Sequence, residues 1–164
     1  MPPLNMTERR VRVHGVDLQA DASPMPDPNS TTTLSFQSPA KWDSDGFFNP
    51  AQPSRVTIPS GLRGRYSVRL TIRWSLALGA FTINDRDHGF FYAELATDAD
   101  PDGRFQETRI SVAPVANSTK TVLQVCWDGL LAPGNHIGAN VQYDLPRPAM
   151  LNAWLTMHRL GAQV

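Results

Sequence analysis

The sequence has very little cysteine, which removes one common way of holding a small fold together. Cys126 is the one cysteine among 164 residues, so no disulfide can form within the chain. It lies in the apolar run TVLQVCW, which predicts a small buried side chain rather than a reactive thiol. The fold must therefore be held by core packing, by a metal ion or by assembly of several chains.

An excess of charge of either sign is also missing. The 15 Lys and Arg residues equal the 15 Asp and Glu residues, which gives a formal net charge of +0. Proteins that bind nucleic acid usually neutralise its phosphates with a basic surface, and the basic run that stands out here is only the pair Arg9-Arg10. We therefore expect no nucleic-acid partner.

Long apolar runs are absent as well. A membrane-spanning helix needs about 20 consecutive apolar residues, and no run in this chain approaches that length. The first residues, MPPLNMTERR, lack the apolar centre of a signal peptide. We expect neither a membrane partner nor Sec-dependent export.

Catalytic motifs form the fourth absence. The sequence contains no G-x-S-x-G elbow, no H-E-x-x-H and no glycine-rich loop that would hold a phosphate. The histidines at 14, 88, 136 and 158 do not have the spacing of metal ligands. We therefore interpret the protein as non-enzymatic, with no catalytic residues and no organic cofactor.

What the sequence does contain is an alternation of polar and apolar residues from residue 30 onward, interrupted by turns. The longest example is GRYSVRLTIRWSL, in which every second residue from Tyr66 to Trp74 is apolar, the pattern of a half-buried strand. The other predicted strands are TTTLSFQ, SRVTIP, HGFFYAELAT, RFQETRISVA, STKTVLQVCWDGL, HIGANVQYDL and MLNAWLTMHRL. Regularly spaced strands without an amphipathic helix predict an all-β antiparallel sandwich or jelly roll.

The first 29 residues differ from the rest. RVRVHGVDL carries Val11, Val13 and Val16 at positions that suit a short strand, and DASPMPDPNS has the composition of an extended linker. Two interpretations stay open, a disordered tail and a tether that docks on another chain. We accordingly divide the chain into an N-terminal arm, 1–29, and a domain, 30–164.

The segment KWDSDGFFNP, residues 41–50, places three large aromatic residues around a polar turn. Trp42, Phe47 and Phe48 would each bury a large area, so this loop is expected to pack against another surface. The Asp-Ser-Asp-Gly turn would let the chain reverse before the next strand.

Four segments in order carry a family resemblance. They are WDSDGFF before SRVTIP, the Pro59 to Tyr66 element of IPSGLRGRYSVRLTIRW, the turn and strand LLAPGNHIGANVQY, and the terminal LTMHRLG. Over residues 30–161 the chain resembles the complement C1q globular-head and tumour necrosis factor superfamily, and most of all the C1q-like domains of bacterial and bacteriophage structural proteins. Two details depart from the family pattern: a longer spacing from Gly61 to Tyr66, and Gly134-Asn135 where Gly-Asp is usual.

This resemblance implies a ten-stranded jelly roll that forms a tight homotrimer, with aromatic residues packed near the three-fold axis. The aromatic loop would then plug one end of the sandwich or cover a neighbouring subunit. The residues expected in this packing are Trp42, Phe47, Phe48, Tyr66 and Trp74.

The segment TDADPDGRFQE matches the opening of a calcium loop. Asp98, Asp100 and Asp102 precede Gly103, and Ca²⁺ favours several hard oxygens from one tight loop. However, the twelfth position is Arg109, where a calcium loop has a bidentate glutamate. A polar hairpin tip without Ca²⁺ is the other interpretation.

Together these features predict a structural protein of a bacteriophage virion, assembled in the bacterial cytoplasm. It would be a capsid decoration, head-fibre or minor tail protein, held to other virion proteins by residues 1–29. The homotrimeric knob would serve attachment to the host surface.

The alternative is a glycan-binding, lectin-like module outside any virion. Trp127, Tyr143 and Trp154 are its candidate sugar contacts, because exposed aromatic rings stack on sugars. A secreted ligand of the tumour necrosis factor type is disfavoured, because we expect no export.

Overall fold

Ten β-strands account for the regular structure in the parts of the chain that the computed structural model describes. These parts are residues 13–24, 30–76, 89–98, 104–112, 120–144 and 149–162. The strands are β1 (Gly15–Pro24), β2 (Thr32–Thr33), β3 (Trp42–Asp43), β4 (Arg55–Thr57), β5 (Gly64–Leu76), β6 (Gly89–Thr97), β7 (Arg104–Val112), β8 (Lys120–Leu131), β9 (His136–Asp144) and β10 (Ala149–Ala162). Within these ranges no helix is long and apolar enough to cross a membrane.

The strands form two five-stranded antiparallel sheets. Sheet A has the order β3-β1-β10-β5-β8, and sheet B has the order β2-β9-β6-β7 with β4 also paired to β9. From β4 to β10 the chain changes sheet at every connection except β6 to β7, which is a hairpin pairing within sheet B. This alternation between two layers brings segments that are distant in sequence into contact.

The core lies between the sheets and follows the predicted alternation. On β5, Tyr66, Val68, Leu70, Ile72 and Trp74 are all fully buried. The neighbouring strand β10 buries its odd-numbered residues from Leu151 to Met157 in the same way. Leu155 of β10 pairs with Leu70 of β5 at the centre of sheet A. Burying each such side chain contributes about 1.5–3 kcal/mol, so these two strands form the main stabilising unit.

The boundary predicted between arm and domain is different in the structure. Residues 15–24, which the sequence analysis assigned to the arm, form β1 and pair with β10 from Gly15↔His158 to Pro24↔Met150. Val16 and Leu18 are fully buried on the inner face of sheet A. The polar composition of DASP does not predict a strand. The structure keeps this segment paired with β10 through a register shift between Ala20 and Ser23, so the pairing does not require apolar alternation.

The prediction of a buried Cys126 is wrong. The residue is exposed on β8, whose neighbours Leu123 and Val125 fill the core. A strand points successive side chains to opposite faces, so the even-numbered position 126 must lie on the outer face of sheet A. The apolar run around Cys126 therefore contains inward-facing residues, such as Leu123, and outward-facing residues, such as Val122.

Candidate functional site

A shallow polar groove lies on the outer face of sheet B, where β2, β4, β6 and β9 meet. It encloses about 350 Å³, which is at the lower end of the range of about 300–1,000 Å³ for small-molecule sites. Its described lining consists of polar and small residues. They are Thr33, Ser54, Arg55, Ala96, Thr97, Asp98, His136, Gly138 and Asn140.

The alternation of β9 explains why this face is polar. The residues that β9 turns inward are fully buried and apolar, whereas His136, Gly138 and Asn140 point the other way and are half-exposed. The buried residues are Ile137, Ala139 and Val141. Each outward residue is separated from the next by about 7 Å along the strand, so they mark three successive rows of the groove.

The middle row forms the floor. Gly138 pairs with Arg55 of β4 on one side and with Ala96 of β6 on the other. Neither Gly138 nor Ala96 carries a side chain long enough to fill the space above the sheet. A Cβ at Gly138 would lie 3.2 Å from the carbonyl oxygen of Ser54, so the wall at this point is backbone. The depression therefore exists because two neighbouring strands have small residues in the same row.

One end of the groove is an aspartate and histidine pair. The Asp98 carboxylate lies 3.0 Å from His136 Nδ1 and also accepts a 2.8 Å hydrogen bond from the His136 backbone N–H. The Asn135 amide donates to the same carboxylate at 3.5 Å. The Asp98 side chain is 40% exposed, so it is held in place while its remaining lone pairs stay accessible to solvent.

The other end is a chain of hydrogen bonds that crosses three strands. The Thr33 hydroxyl donates to the Asn140 side-chain oxygen at 2.9 Å, and the Asn140 amide donates to Glu94 at 3.4 Å. Glu94 is buried, and it also accepts a hydrogen bond from the Tyr92 hydroxyl. Because the side-chain oxygen and the amide nitrogen of Asn140 each have a hydrogen-bond partner, Asn140 is held in one orientation at the groove.

Arg55 supplies the positive charge of the groove. Its Nε and Nη2 donate to the Gln52 side-chain oxygen at 3.0 and 2.7 Å. A guanidinium carries five N–H donors in a rigid fork, so this contact orients the group and leaves other donors for a ligand. The groove thus places a fixed donor and a fixed acceptor, Arg55 and Asp98, on either side of its floor.

The predicted calcium ligands are divided between described and other parts of the chain. Asp98 lies in the groove, while Asp100 and Asp102 lie outside the described residues. Within the described ranges, no group of three or more His, Cys, Asp or Glu side chains is arranged to hold a metal ion. The calcium loop therefore stays a prediction.

The aromatic loop is organised by one carboxylate. Asp43 Oδ1 accepts from the backbone N–H groups of Asp45, Gly46 and Phe47 at 3.3, 2.8 and 2.9 Å, and its Oδ2 accepts from that of Phe48 at 2.9 Å. Gly46 has φ 78°, a conformation that side chains disfavour. The Asp-Ser-Asp-Gly turn therefore wraps around Asp43 and directs the two phenylalanines inward.

The aromatic residues predicted to pack together lie mostly in the core. Phe47, Phe48, Tyr66 and Trp74 are buried, and the rings of Phe47 and Tyr66 meet edge to face at 6.2 Å. Burial raises the pKa of Tyr66 to about 12, with Arg159 opposing this rise and Asp45 adding to it. The Tyr66 hydroxyl therefore stays protonated and donates to the Leu62 carbonyl.

Trp42 differs from these four because it lies at the surface, 37% exposed. Its ring lies 5.7 Å from that of His158 on the outer side of sheet A. Next to it, His14 Nδ1 lies 2.7 Å from the Asp45 carboxylate, which ties the entry to β1 to the aromatic loop. The loop therefore contributes Phe47 and Phe48 to the core and adds the Trp42 ring to the outer face of sheet A, while its predicted role as an end plug stays a prediction.

The candidate sugar contacts occupy three different environments. Trp127 is half-buried against the core, and its ring covers Gly129 so closely that a Cβ there would come within 2.0 Å of it. Trp154 is half-exposed on the outer face of sheet A, between Gln19 of β1 and Thr71 of β5. The side chain of Tyr143 lies outside the described part of the structure. The described residues Trp127 and Trp154 do not line the groove.

Sequence reasoning missed the groove because its residues are far apart in the chain. Thr33, Arg55 and Asn140 are ordinary polar positions in alternating strands, and His136 does not have the spacing of a metal ligand. A weak signal was available in Gly138, a glycine at an outward strand position, which often marks a close approach. Only the pairing of β9 with β2, β4 and β6 brings these residues together.

Comparison with solved structures shows which fold this is. The chain is similar to the globular domain of zebrafish complement 1qA protein, with a TM-score of 0.53 and 12% sequence identity, covering 92% of this chain and 99% of that one. No family model matches the sequence. No curated protein matches it either. The likeness confirms the predicted fold class, and the chain has the all-β antiparallel jelly-roll fold of C1q globular domains.

Proposed function

We propose that this chain is a non-enzymatic structural protein of a bacteriophage virion, in which three copies assemble into a jelly-roll knob. The knob would stand on the capsid or tail as a decoration, head-fibre or minor tail protein. The single observation that carries the assembly step is the distribution of exposed apolar side chains.

All the large apolar side chains exposed in the described structure lie on or beside sheet A. Val122 and Leu130 belong to β8, Leu160 to β10 and Trp42 to β3, while Val13 lies two residues before β1. Four of the five are more than half exposed, at 53–59%. Apolar side chains concentrated on one face favour contact with another protein surface. In the proposed trimer, a second and a third copy of the chain supply that surface.

The N-terminal residues supply the proposed anchor. Because β1 lies between β3 and β10 in sheet A, the chain enters the domain beside the proposed assembly face. Three copies would bring three arms close together, and the effective concentration of the second and third contacts would strengthen attachment to other virion proteins. The anchor is narrowed to the residues before β1, since residues 15–24 belong to the domain.

The arrangement of nucleophile candidates supports a role without catalysis. The Ser44 hydroxyl donates to the Asp45 carboxylate, which also contacts His14. In a nucleophilic triad the histidine stands between the serine and the carboxylate, so that it can remove the serine proton. Here the carboxylate stands between the serine and the histidine, so the histidine cannot remove the serine proton directly. These hydrogen bonds instead hold the aromatic loop against the start of β1, where Ser44 also contacts Gly15.

Quantitative mass spectrometry of purified virions tests this function, with the full chain and a variant lacking residues 1–12. We expect the full chain in washed particles at a copy number divisible by three. The truncated chain should fold and assemble with itself but be absent from particles. Full chain in the culture medium and not in particles would contradict the proposal.

A lectin-like module outside a virion is the second candidate, and the groove on sheet B favours it. The two candidates share one structural consequence. Assembly through sheet A leaves the groove on the opposite sheet open to a ligand.

A further inference from the structure

We propose that the groove on sheet B binds a neutral glycan through the hydroxyl groups of two linked hexose units. This inference deepens the proposed function, because it assigns host-surface attachment to particular residues. It also moves the sugar site from the aromatic residues of the sequence prediction to a set of polar side chains.

The size of the groove sets the first constraint on the ligand. His136 and Asn140 bound the floor and are four residues apart on one strand, a distance of about 13 Å. Across the strands the groove extends from Arg55 to Ala96, over three paired strands spaced by about 4.8 Å. A rigid, shallow site of this shape holds a short oligosaccharide better than a compact ion or an extended peptide strand.

Charge sets the second constraint. Arg55 is the one residue with a fixed positive charge in the described lining, which also contains the carboxylate of Asp98. The carboxylate of Glu94 is buried and hydrogen-bonded to Asn140. An anionic sugar or a phosphate would gain one guanidinium, meet the carboxylate of Asp98 in the lining, and lie near the buried carboxylate of Glu94. A neutral ligand avoids that repulsion and still uses both charged groups as strong hydrogen-bond partners.

Hydrogen-bonding capacity sets the third constraint. A sugar hydroxyl donates one hydrogen bond and accepts others, so a pair of adjacent hydroxyls is satisfied by a carboxylate or amide on one side and a guanidinium on the other. Asp98, Asn140 and Arg55 provide these groups. Each is already held by a protein partner, so little side-chain freedom is lost when a ligand binds. Preorganised planar polar groups compensate for the absence of a large stacking ring in the described lining.

The experiment uses the full-length chain and an array of neutral hexose oligosaccharides, printed beside sialylated, sulfated and phosphorylated ones. Hits are then measured in solution by calorimetry with the free oligosaccharide. We expect binding to neutral glycans that present adjacent hydroxyls. Asp98→Asn, which keeps the shape but removes the charge, and Arg55→Gln should each weaken binding by at least about tenfold.

Ala96→Leu tests the groove by filling its floor without touching a polar contact, and it should abolish binding. Ala51→Leu is the matched control, because it adds the same atoms at an exposed turn position outside the groove. It should bind as the unmodified chain does. Circular dichroism and solution mass establish that each variant is folded and assembled as the parent is.

Three outcomes would overturn the proposal. They are a full-length chain that binds no glycan on the array, preferential binding of the acidic glycans, and neutral binding that survives Ala96→Leu. Measuring virion incorporation of the same variants separates this inference from the proposed function. If the groove variants enter particles normally, the structural role is unaffected, and the glycan site is decided by the binding measurements alone.

Discussion

Asp43 shows how one side chain can decide the conformation of a whole loop. Its two carboxylate oxygens accept hydrogen bonds from four successive backbone N–H groups, from residue 45 to residue 48. Those groups lie in a turn that cannot satisfy them with strand pairing. By holding them, Asp43 brings Phe47 and Phe48 into the core, where each is almost completely buried.

We predict that Asp43→Ala lowers the free energy of unfolding by about 2 kcal/mol, since hydrogen bonds to a charged acceptor contribute about 1.5–3 kcal/mol and this site is partly open to water. Asp43→Asn retains one carbonyl oxygen, so its free energy of unfolding should lie between those of the parent and of Asp43→Ala. Urea denaturation followed by tryptophan fluorescence measures the effect. Asp128→Ala, at an exposed aspartate of β8, is the control and should leave the midpoint unchanged. An Asp43→Ala midpoint equal to that of the parent would contradict this role.

Strands β5 and β1 show which elements can be predicted from the sequence. β5 was predicted with its observed bounds, because thirteen residues of uninterrupted alternation leave no other structure. Only the start of β1 was anticipated, because its second half has a polar, proline-containing composition and is held by pairing with β10. β3 is two residues long and exists only because β1 lies beside it.

The groove marks the limit of prediction from sequence. Asp98 was identified as a candidate ligand from its local motif, and it is part of the site. Arg55, Thr33 and Asn140 were not, because they come from strands that are separated by up to 107 residues in the chain. Alternation predicts which face of a strand a residue occupies, but it does not predict which strands will be neighbours.

A pair of N-terminal deletions tests the position of β1 in the domain. A chain that lacks residues 1–12 should unfold cooperatively, as the full chain does. A chain that lacks residues 1–24 also loses Val16 and Leu18 from the core, at about 1.5–3 kcal/mol each, and exposes an edge of β10. Because natural domains are stable by only about 5–15 kcal/mol, we expect it to aggregate or to melt without a cooperative transition. Differential scanning calorimetry distinguishes a cooperative transition from its absence. Equal cooperative transitions in the two deletion variants would show that β1 is not part of the folded domain.

At the scale of the whole molecule, the two sheets present different surfaces. Sheet A exposes apolar side chains on its outer face, while the outer face of sheet B carries the polar groove. Sheet A also presents Arg65 and Arg69, which remain at the surface on β5 among these apolar groups. A mixed apolar and charged face is typical of an interface that must exclude water and set the register between subunits. This difference between the two faces is the basis for our proposal that the chain assembles through sheet A and binds its ligand through sheet B.

The assembly prediction is tested by replacing three exposed apolar residues of sheet A. We expect light scattering to give three times the mass of a single chain for the parent. The combined variant Val122→Ser, Leu130→Ser and Leu160→Ser should give the mass of one chain at the same concentration. Its core should remain intact, because all three side chains are more than half exposed, at 54–59%. Ala51→Ser, an exposed apolar-to-polar change away from sheet A, should leave the mass unchanged. A parent chain that stays monomeric, or a triple variant that remains trimeric, would show that this face does not hold the subunits together.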